Sequence, residues 1–166
     1  MNSANSKIKK MKRQKETIGS IVEINVYGLY YCYAQILAHG NLAFFDYRSK
    51  GHIETLSILN NCNLLFIICV YKDIITQGYW LKVGKLPIRE DFQVLPMRFI
   101  YHKFDKLQFE LYDPNTGEDR PSTKEECRGL ERCAVWDKHH IEDRLRDYYN
   151  GVPCIWLKED YEIFED

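Results

Sequence analysis

Several features that would announce a function are missing from this chain. No GxSxG, HExxH, P-loop or GxGxxG occurs, so the common hydrolase, metalloprotease and nucleotide-binding signatures are not available to it. The longest continuous apolar run, LLFIICVY at 64–71, has 8 residues, far below the roughly 20 that a transmembrane helix needs. A membrane partner is therefore not expected. The six cysteines (Cys32, Cys62, Cys69, Cys127, Cys133 and Cys154) include no CxxC pair. With no secretory leader read at the N-terminus, free thiols in a reduced cytoplasm are the expectation. Neither an internal repeat nor a domain linker is visible.

What is present suits one globular domain. The chain has 166 residues, a 45% hydrophobic fraction and 12 Tyr, 8 Phe and 3 Trp. That length buries a core without staples, and tyrosines keep a polar end for half-exposed surfaces. Charge is uneven. Lys7, Lys9, Lys10, Lys12, Arg13 and Lys15 fall in the first 15 residues without a single acid, leaving 17 basic against 24 acidic residues, about -7, from residue 16 onward. Residues 1–17 read as a flexible basic arm and 18–166 as the folded domain. An acidic body favours a basic partner, or serves solubility alone.

The first half of the domain reads as strands. SIVEINVY (20–27) alternates, with Val22, Ile24 and Val26 on one face; LYYCYAQILAH (29–39) follows after Gly28, and LAFFDYR (42–48) after Gly40-Asn41. HIETLSIL (52–59) fits a short helix or a strand. LLFIICVY lacks alternation and predicts a strand buried on both faces. KDIITQG predicts one helical turn ending at Gly78, and YWLKVGKLPI (79–88) another short strand. MRFIYHK and LQFELYD predict a hairpin with Leu107, Phe109 and Leu111 inward, before a turn at Pro114–Gly117. Helices follow, the first from a capping box at Ser122–Glu125. The whole predicts an α+β fold: a strongly bent antiparallel sheet or small β-barrel, a few helices packed on one side, and the main helix near the C-terminus.

That main helix lies in GLERCAVWDKHHIEDRLRDYYNG (129–151). Asp137 suits the N-cap and Gly151 the C-terminal stop, with Pro153 preventing continuation. Ile141, Leu145, Tyr148 and Tyr149 form the apolar stripe, and Glu142 with Arg146 an i, i+4 pair. A capped helix leaves Trp136, His139-His140 and Arg144 unaccounted for. Either Trp136 packs on the sheet and Arg144 lies along apolar surface, or this face binds a partner. Cys127, Cys133 and His139 are evenly spaced residue types that zinc can use, but their spacing fits no recurrent pattern; no metal and no cofactor are expected. His102 in the hairpin has no acid beside it that sequence alone reveals.

The segment GEDRPSTKEECRGLERCAVWDKHHIEDRLRDYYNGVPCIWL (117–157), with EEC, GLE, AVWD and EDRLRD in order, resembles the bacterial polymorphic-toxin immunity family called immunity protein 26. LAFFDYRS (42–49) and LLFIICVYKDIITQGYWLKVGKLP (64–87) extend the likeness over most of 18–157. Gly19-Ser20 departs from the family's Gly-Asp. The resemblance implies a cytoplasmic protein that binds and neutralises a cognate toxin, of nuclease type, rather than an enzyme. Some members carry a phosphotriesterase label, so a phosphoester or phosphotriester hydrolase is one alternative. A nucleic-acid-associated regulator using the basic arm is another, with nucleic acid ranked behind protein as a partner. Oligomeric state is open. On the toxin-binding reading the candidate contact residues are Asp46, Trp136, His139, Glu142, Asp143 and Asp147.

Overall fold

A computed structural model describes residues 12–166; the first eleven residues of the expected basic arm lie outside it. The predicted hairpins form. β1 (Ser20–Val26), β2 (Tyr30–Ile36), β3 (Asn41–Ser49) and β4 (Leu64–Val70) make an antiparallel meander. The β1–β2 turn holds Tyr27 at φ 52° and Gly28 at φ 73°, the positive values that match a turn to the twist of a hairpin. α1 (Asp73–Thr76) then leads to β5 (Leu81–Lys85), which returns to pair with β1. Registers shift at Ile21/Val22, Cys32/Ala34 and Phe44/Phe45, and such bulges bend a sheet. The result is open, not a closed barrel.

A smaller sheet holds β6 (Arg98–Tyr101), β7 (Phe109–Tyr112) and β8 (Asp119–Ser122), followed by α2 (Lys124–Cys127). Two short strands then tie the sheets together. β9 (Glu131–Arg132) runs parallel to β6, and β10 (Val135–Trp136) runs parallel to β4. The large sheet is thus ordered β10-β4-β3-β2-β1-β5, and the small one β8-β7-β6-β9. α3 (Lys138–Asn150) and α4 (Lys158–Ile163) finish the chain.

Alternation along the strands decides what covers each face. Val22, Ile24, Ala34, Leu42, Phe44 and Ile68 turn to one side, where Ile141 and Leu145 of α3, with Ile75 and Trp80, seal them. Ile21, Tyr33, Ala43, Phe45 and Ile67 turn to the other and meet Leu59, Phe92 and Leu95. Those covers belong to 3-10 turns at Leu56–Asn61 and Glu90–Phe92 and the chain beside them, so both faces are clothed, not one. Of HIETLSIL, only Leu56–Leu59 enter the first of these turns, while His52–Thr55 form neither helix nor strand. Phe99, Phe109, Leu111 and Cys127 form a third core under the small sheet, with Ile163 and Phe164 against it. Leu107 is displaced from the expected hairpin: it lies outside β7 and stays exposed.

Local chemistry sets the helix ends. Asp137 caps α3, its Oδ1 accepting from the His139 and His140 amides at 2.9 and 3.4 Å. Gly151 stops it at φ 68°. The α2 cap sits one residue later than the sequence predicts, since the Thr123 hydroxyl, not Ser122, accepts from Glu126 N. Glu142 pairs with Lys138 at 2.8 Å rather than with Arg146.

At the edge of the large sheet Gln14 lies against β5. Its amide nitrogen donates to Trp80 O at 2.5 Å, its amide oxygen accepts from Lys82 N at 3.0 Å, and its backbone N–H reaches Thr76 O at 3.1 Å. One side chain thereby satisfies backbone groups of an exposed edge strand. Gly78 is needed beneath it: its φ is 80°, and a Cβ there would lie 2.0 Å from Lys12 O. Gln14→Ala should lower stability by about 1–2 kcal/mol through the two side-chain bonds, read as the urea midpoint; an unchanged midpoint would mean the contact is incidental. Asp137→Ala should cost about 0.5–2 kcal/mol through the lost cap in the same measurement.

Candidate functional site: the exposed face of helix α3

The six candidate residues separate by burial. Trp136 is 9% exposed, Glu142 3% and Asp147 9%, whereas His139 is exposed and Asp46 and Asp143 are half-exposed. Trp136 packs in the main core. Arg144 lies along apolar surface as that arrangement requires, with its guanidinium 3.8 Å from the Phe66 ring centre and 5.0 Å from that of Trp136. Its charge is met by Glu131. Glu142 accepts from the Trp80 indole at 3.2 Å and from Lys138. These groups hold α3 to the sheet.

Asp143 and Asp46 are different. Asp143 accepts the Tyr27 hydroxyl on one oxygen and the Trp156 indole, at 2.8 Å, on the other. Asp46, beyond the bulge in β3, accepts the Tyr148 and Tyr149 hydroxyls at 3.0 and 3.2 Å. Both carboxylates are fixed by aromatic donors. Each still has lone pairs for a further donor, since an ionised carboxylate offers about four acceptor sites. Around them lie exposed rings: Tyr27 at 47%, Tyr148 at 48% and Trp156 at 46%. Trp156 also stacks on His140, with ring centres 3.6 Å apart. Leu29, Val152 and Ile155 add exposed apolar area from the adjoining hairpin and the chain after α3.

Cations border the patch. Arg146 lies 3.5 Å from Asp143, 3.6 Å from Asp147 and over the Tyr27 ring at 5.1 Å. Arg48 sits against both Tyr30 and Tyr149, 5.0 and 4.6 Å from their ring centres. The surface is therefore a mosaic of fixed carboxylates, guanidinium groups and rings.

Titration follows these contacts. The hydrogen bond to Asp143, with burial and the negative charge nearby, pushes the Tyr27 phenol up to about 12. For Asp143, burial alone would raise the pKa. The donors Tyr27 and Trp156, with Arg146 and His140 close by, outweigh it and hold the carboxyl below its ordinary range.

Tyr27, Tyr148 and Trp156 are not among the contact residues that the sequence points to. Tyr27 carried one usable signal, its place before Gly28 in a tight turn. Trp156 carried none, because Cys154-Ile155-Trp156-Leu157 alternates with neither a helical nor a strand period. Of the zinc candidates, Cys127 is buried beneath the small sheet, and no three His, Cys, Asp or Glu groups gather as a ligand set among the described residues. His102 does meet an acid: its Nε2 lies 2.5 Å from a Glu110 oxygen.

The depressed Asp143 carboxyl makes a pH-dependent contribution. A lowered folded pKa gives stability that is present above the unfolded value and lost as pH falls through the folded one. Tyr27→Phe with Trp156→Phe removes both donors. The deficit in unfolding midpoint against wild type should be full at neutral pH and shrink below roughly pH 4. A deficit independent of pH would show that packing, not the charged hydrogen bonds, was lost.

No curated protein and no solved structure matches this chain. A family match does, over residues 17–110, from the end of the arm to the start of β7. It takes in 42–49 and 64–87, and stops short of 117–157, where the resemblance read from the sequence is densest. On that match the chain belongs to the immunity protein 26 family.

Proposed function

We propose that this immunity protein neutralises its cognate toxin by binding it through the exposed face of α3 and the adjoining β1–β2 turn, in the bacterial cytoplasm. One arrangement supports the reading: Asp46 and Asp143, each fixed by two aromatic donors, are ringed by Tyr27, Tyr148 and Trp156. Acceptors held in place before contact lose little freedom on binding. Tyr and Trp are also the residues that most often anchor protein interfaces. The tight β1–β2 turn that holds Tyr27 at φ 52° also fixes its ring beside Asp143. The partner chemistry that fits is a basic protein surface presenting Arg or Lys, as a nuclease-type toxin would. The body's net of about -7 favours encounter with such a surface.

Two variants separate the parts. Asp46→Asn with Asp143→Asn keeps the shapes and removes two charges. It should slow association with the cognate toxin several-fold and flatten the salt dependence, since exposed charges are screened within about 10 Å at 0.1 M salt. Trp156→Ala should leave association near wild type and speed dissociation, losing more than about 2 kcal/mol if it is an anchor. The measurement is binding kinetics against the purified toxin at several salt concentrations. Wild-type kinetics in both variants would remove this face from the interface.

A further inference from the structure

A second feature, independent of the α3 face, lies where the two sheets meet. Arg98 of β6 is 4% exposed, and it reaches out of the small sheet to the large one. Its guanidinium donates to Asn41 Oδ1 of β3 at 2.8 Å and to Pro96 O at 3.1 Å. Asn41 is itself oriented, its amide nitrogen donating to Ala38 O and His39 O at 3.3 and 3.2 Å. A purely structural role as a clasp between sheets accounts for these contacts. It does not account for the charge. Both acceptors are neutral, and two of them leave part of a five-donor group unused.

Among the described residues no carboxylate lies within ion-pair distance of Arg98, and residues 1–11 contain no acid. The neighbouring Glu131, which pairs with Arg98 across β6 and β9, spends both oxygens on Arg144. Glu131 therefore neutralises Arg144 and leaves the buried Arg98 guanidinium without an ion-pair partner. Burial pulls the Arg98 pKa down, and the charge on Glu131 only partly opposes this. Buried cations without a counter-charge are costly and are normally paired.

Arg98 also lines a cavity of about 260 Å³ between the sheets, together with Asn41, Cys69, Tyr112, Cys133 and His39. His39 is held at φ 55° at its edge. The volume falls below the roughly 300–1,000 Å³ of pockets for drug-sized ligands, while several waters, at about 30 Å³ each, would fit. We propose that this cleft is a binding site for a small oxyanion, a carboxylate or phosphate group, taken by the guanidinium of Arg98. A planar fork with free donors suits such a group. The oxyanion comes either from a free small molecule or from a peptide carboxylate, and the two sources share this chemistry.

The test is a titration of the full chain followed by NMR, with inorganic phosphate, acetate and N-acetylglycine as separate probes. The signals are the Arg98 side-chain Nε–H and the backbone amides of Cys133 and Val135. At least one probe should give saturable shifts at these positions. Tighter binding of phosphate would assign the site to a free phosphate-type anion; tighter binding of N-acetylglycine than of phosphate would assign it to a peptide carboxylate. Arg98→Lys should weaken binding by about tenfold or more, because the planar fork is lost. Because Arg98→Lys also alters the clasp, a second variant, Ala134→Phe, fills the mouth from an exposed position while leaving Arg98 in place. It should abolish the shifts with an unchanged melting temperature. The proposal is overturned if no probe saturates, or if binding persists unaltered in Ala134→Phe.

Discussion

Six residues, Glu131–Trp136, constrain the rest of the molecule. At one end they hydrogen-bond to β6 and extend the small sheet; at the other they run beside β4 and extend the large one. Cys133 N donates to Phe99 O, and Trp136 O accepts from Tyr71 N. Because both ends are fixed, Asp137 has one place to stand, and from there α3 can only cross the face of the large sheet. Trp136, packed in the core and shielded by Arg144, secures that crossing. The position of Asp143 between Tyr27 and Trp156 follows from it.

Charge is handled differently at three depths. Inside, buried Glu142 and partly buried Arg144 are met by specific partners, so they specify how α3 sits more than they stabilise it. At half-depth, Asp46 and Asp143 are held by phenols and an indole, which orient a carboxylate without cancelling its charge. Outside, pairs such as Arg128 with Glu125 and Arg120 with Glu126 contribute little, as exposed ion pairs do. The middle class is the one available to a partner, because it is both fixed and reachable. Arg98 fits none of the three, being buried with its charge unmet by a carboxylate.

Periodicity made much of the fold legible. Alternation at Val22, Ile24 and Val26, the unbroken run at β4, the Asp137 cap and the Gly151 stop each have a local cause, and each can be read locally. The second cover of the large sheet could not be read that way. Leu59, Phe92 and Leu95 sit on irregular chain, where no period marks the buried face. The ties through β9 and β10 were equally hidden, since two-residue strands carry no pattern of their own. The site was legible in part for the same reason. Asp143 and Asp46 could be named as exposed acids, but their donors come from residues 116, 13, 102 and 103 positions away. Such distant pairing leaves no mark on spacing. Glu142 looked available because a helical wheel shows which face points outward only when the facing sheet is known, and Trp136 because the two-residue strand that buries it carries no pattern.

The central claim is that an immunity protein of this family meets its toxin with the α3 face. Hydrogen exchange of the chain, alone and saturated with the cognate toxin, tests it directly. Slowed exchange should be confined to the β1–β2 turn around Tyr27–Leu29, the second half of α3 and the stretch around Val152–Trp156, with β5 and β8 unchanged. Protection along β5 or the small sheet, with the α3 face exchanging as in the free protein, would contradict the account.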